Sequence, residues 1–566
     1  MRRHIRPAFV TLLTLASAAA AVPALAGPET SSIPQLTRSL AYHLPLASSP
    51  AEDLHLRLVE DGLKAAKGDA EALKALTAFY AARDWQPAWT DAHGLNAVGR
   101  TLADRIALAD TDGLEPSDYP LPPKRIARDQ LADAELTLSR ALLAYAHDAQ
   151  GGRIDPSRVS GYVKIEPTHP DPLKVLASLA RSKNPAGTLA AFNPPHEGYR
   201  RLRMKLADLR RAKSRTTRPP RIAADGPTMR LGLSDPRVPL LRQRLGVTLS
   251  ATRVAIADTV RTDTPIGKSA DTLFDDDLDA AVRQFQREAG LAADGVVGPN
   301  TLAVLNREAD ADPVADIVAN MERWRWLPRD LGRFHVFVNI PEFLVRIVDN
   351  GTITHTTRVV VGKRGNQTPI FSDEMEHLVV NPYWNVPYSI ASKEMLRGIQ
   401  ADPGGYLSRR GYEAVYNGRV VDPTSINWSP ANLRKVRIRQ RPSARNALGR
   451  IKFMFPNKYA IYLHDTPSKS LFQRAERAYS HGCVRVHNPV DFADALLAHD
   501  SKWNGKRIAA LFGGAERRID LTQHIPVHLV YFTTTVDATG KLHSFGDVYG
   551  HNKKLKTLLA SARAAN

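Results

Sequence analysis

From about residue 48 to residue 211, apolar positions recur mostly at the interval of an amphipathic helix. In LSRALLAYAHDA, for example, Leu138, Leu142, Leu143, Tyr145 and Ala146 form a one-sided stripe. Two aromatic-rich turns, RDWQPAW and LEPSDYP, punctuate this block, and nothing in it has catalytic spacing, so it reads as a helical scaffold domain over 48–211. A basic, proline-bearing run from Lys213 to Pro227 follows and reads as a linker. The next block, 229–307, holds two helical signals around a polar insertion. VPLLRQRL puts Val238, Leu241 and Leu245 on one face, and DDDLDAAVRQFQREAG repeats Leu278, Ala281, Val282 and Phe285, with acids in its first turn and Gly290 as its stop. Pro299 to Thr301 begin a further short helix.

After a helical stretch through MERWRWLP, the period changes from helical to alternating. FHVFVNI reads as a strand, and FLVRIV is joined to TITHTTRVVV through Asp349-Asn350-Gly351, a strong hairpin signal. HLVV and KYAIYLH read as further strands. A helix is expected from Asn488, with the Asn488 side chain as cap and Pro489 at its first position, and PVHLVYFTTTVD adds a strand before a turn at Thr539-Gly540-Lys541. The fold class is therefore multidomain α+β: helical scaffold, small helical module, then a mostly β domain over 333–512 with a C-terminal strand extension over 513–566.

The amino terminus changes where this chain is expected to work. A basic MRRHIR, an apolar run from Ala8 to Leu15 and Ala24-Leu25-Ala26 before Gly27 have the layout of a secretory signal peptide over 1–26. Thr11, Thr14, Ser17 and Pro23 interrupt a segment that would need about 20 apolar residues to span a bilayer, and no later segment is long and apolar enough. The expected location is the periplasm or cell envelope, with no stable membrane span after cleavage. With 77 Lys+Arg against 58 Asp+Glu, the net charge of +19 favours a polyanionic partner. Export argues against nucleic acid and towards a carboxylate-rich wall or an anionic membrane surface.

Export also gives meaning to the cysteine count. The chain has one cysteine, so it cannot make an internal disulfide, and an unpaired thiol in an oxidising compartment is a hazard or a reagent. Cys483 stands in YSHGCVRVHN, where Ser480, His481, Gly482, Arg485 and His487 are poor material for an apolar core. A nucleophile fits better than a space-filler. Acyl transfer from cysteine needs a base, a group that orients the base, and donors for the oxyanion. His464 ends the KYAIYLHDTP strand 19 residues before Cys483, far enough for a strand, a loop and a return. Asp465 could orient that imidazole by side chain or by carbonyl, and Gly482 lets backbone approach the sulfur closely. Spacing alone does not choose between His464 and His481 as the base.

Two resemblances sharpen this reading. AVRQFQREAGLAADGVVGPNTLAVL resembles the small three-helix peptidoglycan-binding modules, over 229–307. His464 followed by Ser480-His481-Gly482-Cys483-Val484-Arg485 resembles the signature of the L,D-transpeptidases with a YkuD-type catalytic domain. NPYWNVP (Asn381 to Pro387), TPIF (Thr368 to Phe371) and HDTPSKSLF (His464 to Phe472) resemble the long, YcbB-like branch. The resemblance implies Cys483 as nucleophile and His464 as base, with His481, Gly482, Asp465 and Ser480 in support. It implies a cap over about 389–450 and stem contacts from Arg485, Trp384 and Asn385. Arginine at 485, where the family often has asparagine, makes the role of that position less certain. The implied reaction is peptidoglycan cross-linking through a cysteine thioester, with a tetrapeptide stem as donor, a diaminopimelate amine as acceptor and no cofactor. Peptidoglycan is the expected partner, and other cell-wall enzymes are further candidates. The alternatives are an L,D-carboxypeptidase, D-amino-acid exchange, and a non-catalytic wall-binding protein. A zinc hydrolase using His464, Asp465, His481, Cys483 and His487 is disfavoured by the lack of any HExxH or CxxC pair.

Overall fold

The computed structural model describes residues 49–64, 70–212, 220–248, 270–289, 291–306 and 312–565. The expected signal peptide, most of the expected linker's first half and the expected helix stop at Gly290 lie outside these. No helix among the described residues is long and apolar enough to cross a membrane.

The helical pattern of the first block folds as its periodicity predicts. Helices Ala70–Ala81, Ala97–Ala107, Leu131–Gly151 and Pro172–Arg181 converge on one core, where Leu138, Leu142, Tyr145 and Ala146 of the expected stripe are fully buried. Asn96 caps the second of these helices and Asp171 the fourth, each accepting a backbone N–H of the first turn. The module expected over 229–307 has its own small core, with Val238, Leu241, Leu278, Val282 and Leu302 packed together. Gln286 sits inside it and ties Gly295, Asp294 and Val296 into the turn that leads to Pro299–Leu305.

The β domain is built on one nine-stranded sheet. Its strands are β1 (Phe334–Asn339), β2 (Leu344–Asp349), β3 (Thr352–Gly362), β4 (Phe371–Val380), β5 (Ile451–Met454), β6 (Leu463–His464), β7 (Ala478–Ser480), β8 (Val484–Val486) and β9 (Arg517–Val530). Their spatial order is β7-β3-β8-β6-β5-β4-β9-β1-β2, and because β2 also pairs with β3 the sheet closes on itself. Asn350 and Gly351 turn the β2–β3 hairpin with positive φ at both positions, as a tight right-twisted hairpin requires. The C-terminal strand β9 is no appendage: it lies between β4 and β1, antiparallel to the first and parallel to the second. Val527 and Leu529 of β9 are fully buried in the core. A closing helix, His551–Ala565, which the periodicity did not reveal, adds Leu555 to that core.

Two expected elements differ. Only Leu463–His464 of KYAIYLH is strand, because the Asn457 side chain bonds the backbone of Phe455, Tyr459 and Ile461 and holds 457–461 as a turn, with Ala460 at φ 55°. The helix Pro489–Leu496 starts after Asn488 as expected, but the Asn488 side chain makes no capping bond.

The scaffold is tied by buried polar links to the helix Pro313–Arg325, which leads into the β domain. Glu322, almost fully buried on the helix Pro313–Arg325, accepts the backbone N–H groups of Arg153 and Ile154. Its neighbour Arg325 donates to the carbonyl of Asp112 and the hydroxyl of Tyr199. Between β4 and β5 the chain leaves the sheet and forms an insert with its own core, including Ile399, Leu407, Ala414 and Ile438. The insert holds a four-stranded sheet of Trp384–Asn385, Arg437–Gln440, Tyr412–Tyr416 and Arg419–Val421.

Candidate active site

The site is made by strand register. β6 and β8 are parallel, with Leu463 opposite Val484 and His464 opposite Arg485. Side chains alternate across a strand, and residues in register point to the same face. Leu463 and Val484 are fully buried in the core. Tyr462, His464, Cys483 and Arg485 therefore share the opposite face. Antiparallel β5 adds Lys452 to it, directly across from His464. His464 lies diagonally across from Cys483, the residue that precedes β8.

The imidazole is oriented by backbone. His464 Nδ1 contacts the carbonyl oxygen of Asp465, and a carbonyl can only accept, so Nδ1 carries the proton; the backbone of Leu448 makes a second hydrogen-bonding interaction with the ring. The Asp465 carboxylate is occupied elsewhere, accepting the Arg450 and Thr466 N–H groups and the Lys469 ammonium at 2.6 Å. Burial pushes the His464 pKa down to about 3, with the neighbouring Arg485 charge acting in the same direction. The imidazole is neutral at rest.

Cys483 is half-buried, and its sulfur is 3.6 Å from the carbonyl oxygen of Ala460, a donor contact that suits a thiol and would repel a thiolate. Burial raises its pKa, while hydrogen bonding to Tyr462 and the charges of Lys452 and Arg485 work against that rise. Lys452 stacks its ammonium 4.5 Å from the centre of the Tyr462 ring, and that ring lies 5.6 Å from the His464 ring. Tyr462 and Lys452 were not singled out from sequence. The signal for Tyr462 was its position two residues before His464, on the same face of the strand.

The turn before the sulfur is fixed by hydroxyl groups. Ser480, buried, donates through Oγ to the Cys483 carbonyl at 2.5 Å and accepts the Gly482 N–H at 3.1 Å. Gly482 has φ 122°, a conformation side chains resist, and an added Cβ would press on Ile461 at 3.2 Å. Thr368, fully buried, donates to the Gly482 carbonyl at 2.7 Å and accepts the Gly362 N–H. The Tyr549 hydroxyl accepts the Thr368 N–H and donates to the Gly362 carbonyl, so the C-terminal segment braces the thiol turn.

Residues 333–504, which contain this face, match the family model described as "L,D-transpeptidase catalytic domain". This chain carries an L,D-transpeptidase catalytic domain. Residues 74–206 match a model described as "Scaffold domain", and residues 263–305 one described as "Putative peptidoglycan binding domain". A curated relative from Haemophilus influenzae, named "Putative L,D-transpeptidase", is 34% identical over 243 residues. That alignment covers 42% of this chain and 48% of the relative, so the chain spans about half the length of the relative it matches. A solved L,D-transpeptidase from Xylanimonas cellulosilytica aligns at 16% identity over 54% of this chain and 100% of its own, with a TM-score of 0.14. One from Stackebrandtia nassauensis aligns at 15% identity over 55% and 97%, with a TM-score of 0.17. Scores this low bear on neither fold nor function.

Within the L,D-transpeptidase domain the remaining expected residues fall in different places. His481 is exposed and turned to the insert, its Nε2 2.7 Å from Glu394 Oε1 and 3.4 Å from Lys363 Nζ. Arg485 shares the face of the thiol, has no carboxylate partner among the described residues, and its buried Nε makes no hydrogen bond. Trp384 and Asn385 pair with Gln440 and Arg439 in the insert's sheet, and the Trp384 ring lies 6.0 Å from that of Tyr412. Neither makes a hydrogen bond or ring contact with Cys483 or His464 among the described residues. No group of three or more His, Cys, Asp or Glu able to hold a metal occurs among the described residues, the five weighed as zinc ligands included.

Proposed function

We propose that this protein is an exported L,D-transpeptidase that cross-links peptidoglycan through a thioester on Cys483. The observation that carries the reading is the shared face of His464 and Cys483, with Nδ1 of the imidazole committed to the Asp465 carbonyl. A neutral base beside a protonated thiol implies that the proton leaves sulfur as sulfur attacks, without a standing thiolate–imidazolium pair.

In the first half-reaction, Sγ adds to the carbonyl between the third stem residue and the terminal D-alanine while His464 Nε2 takes the thiol proton. The developing oxyanion needs donors that are not already used. The Gly482 N–H is spent on Ser480, which leaves the Cys483 N–H and the Tyr462 hydroxyl, hydrogen-bonded at the sulfur, as the candidate donors. Collapse of the adduct breaks the peptide bond, and His464 returns the proton to the departing amine of D-alanine. In the second half-reaction, the side-chain amine of a diaminopimelate from another stem attacks the thioester, gives its proton to His464, and the sulfur leaves and is reprotonated. The unpaired guanidinium of Arg485 suits a stem carboxylate, because a bidentate pair there would satisfy the Nε that now lacks a partner. The block at 263–305 would hold the enzyme on the wall and raise the local concentration of stems.

Water or a free D-amino acid as acceptor would use the same acyl-enzyme. Product analysis of muropeptides by mass spectrometry separates these outcomes, since each leaves a different mass on the third stem residue.

A further inference from the structure

The insert contains a cavity of about 600 Å3, well apart in sequence from the His464 and Cys483 strands. Its floor is apolar, made by Val386, Val415, Leu433, Val436 and Ile438. Its rim is cationic, with Arg434, Lys435 and Arg437, and no Asp or Glu lines it. None of these three side chains forms an ion pair or a side-chain hydrogen bond among the described residues. Their neighbours behave differently: Arg439 and Arg441 are both neutralised by Glu413, and Arg409 by Asp402. Among the described residues the rim therefore groups three cations without a carboxylate partner at one opening. Arg434 is held with its guanidinium 4.4 Å from the centre of the Tyr388 ring, so part of the rim is already ordered.

We propose that this cavity is a second peptide site, which takes the carboxylate-bearing stem that accepts the acyl group. The proposal rests on the transpeptidase reading above for the identity of the peptide. Three observations select an acidic peptide as the occupant. The volume lies in the range of small-ligand and peptide-anchor pockets. An apolar floor under a cationic rim matches aliphatic stem residues that carry free carboxylates. The third is position. Ala391 in the cavity wall begins the π-helical turn Ala391–Met395, which carries Glu394 to its bond with His481, two residues from Cys483. π-Helical turns are uncommon and concentrate at functional sites. An occupant of the cavity is therefore linked to the thiol turn by one short, irregular helix.

The test is a binding titration on the full chain carrying Cys483→Ala, so that nothing reacts, with a soluble disaccharide-tetrapeptide as the probe. In that background R434Q/K435Q/R437Q should weaken binding by on the order of tenfold or more at about 0.05 M salt, and the difference should shrink towards nothing at about 0.5 M. Arg485→Gln is added to this background so that the thiol cleft reads no stem carboxylate; there, amidating the stem carboxylates should reproduce the loss with the rim intact, which keeps the test decisive even if the triple variant melts early. Equal binding by the folded triple variant, or equal binding of the amidated stem, overturns the proposal. So does a triple variant that keeps stem binding but loses binding to vesicles containing an anionic phospholipid, which would assign the rim to a membrane surface. Failure of the transpeptidase reading would appear separately, as the absence of a stem thioester on the unmodified enzyme.

Discussion

Nε2 of His481 lies 2.7 Å from a carboxylate oxygen of Glu394, so the histidine next to the thiol in sequence is committed to the insert and not to the sulfur. His464, seventeen residues upstream of it, stands on the thiol's own face with Nδ1 held by the Asp465 carbonyl. Replacing His464 with alanine should slow acylation by a stem or a β-lactam by about 10²- to 10⁴-fold, the usual range for a positioned base. His481→Ala and Glu394→Gln remove only the tie to the insert and should have smaller effects, similar to each other. Single-turnover acylation followed by intact-protein mass gives the ranking. A greater loss from His481→Ala would reverse the assignment.

The thiol should be less ionised than a free cysteine. Burial raises its pKa, so at neutral pH the thiolate fraction of the free enzyme falls below that of a cysteine in solution. Alkylation by iodoacetamide, which reacts with thiolate, should then be slower than for free cysteine at pH about 7 and still rising above pH about 9. A plateau reached near neutral pH would indicate a standing ion pair with His464 and contradict a resting proton on the sulfur.

Thr368 bridges two backbone groups, the Gly362 N–H and the Gly482 carbonyl, and is fully buried. Thr368→Val keeps the shape and strands both groups, at a cost of about 1–3 kcal/mol for each group left unsatisfied. The melting temperature should fall, and acylation should slow because the Gly482–Cys483 turn loses its brace. Thr368→Ser, which restores the hydroxyl, should recover most of both. Unchanged acylation in the valine variant would show that the turn holds its shape without this bridge.

Stability should decline on the acid side of neutrality. Burial holds His464 near a pKa of about 3 and His196, His528 and His551 near about 4, all below the ordinary 6.5. Between those values the unfolded chain binds protons that the folded chain refuses, so stability rises with pH through the window and is lost as pH falls from about 6.5 towards 4. Melting curves across that range should shift steadily downward by an amount on the order of several kcal/mol in total. A flat profile would mean that these imidazoles are hydrated in the native state.

Much of this architecture was legible in the residues because local and global signals agree. The helical stripe at Leu138 to Ala146, the Asn350-Gly351 hairpin and the Asp275-capped helix Asp276–Glu288 each depend on a few neighbouring positions. Cys483 stood out as a candidate because a lone thiol among polar residues has few other uses. What stayed hidden depends on pairing between distant segments. The placement of β9 inside the sheet, the tie from Glu322 to the backbone at Arg153, and the Thr368–Tyr549 brace have no local signature. The carbonyl role of Asp465 was open because side chain and carbonyl are equally near in sequence, and the competing bonds from Arg450 and Lys469 decide it. The strand expected at KYAIYLH is shortened by Asn457, a side chain that competes with the ladder for backbone partners.

The central claim is that Cys483 passes a stem acyl group to an amine of a second stem. It is tested most directly by incubating the full chain with tetrapeptide-bearing peptidoglycan, digesting the glycan and weighing the muropeptides, alongside Cys483→Ala. Dimers joined through the third residue of each stem, with release of D-alanine and complete loss of both in the Cys483→Ala sample, are the predicted result. Monomeric tripeptide without dimers would make the enzyme a carboxypeptidase, and dimers that persist without Cys483 would contradict the account.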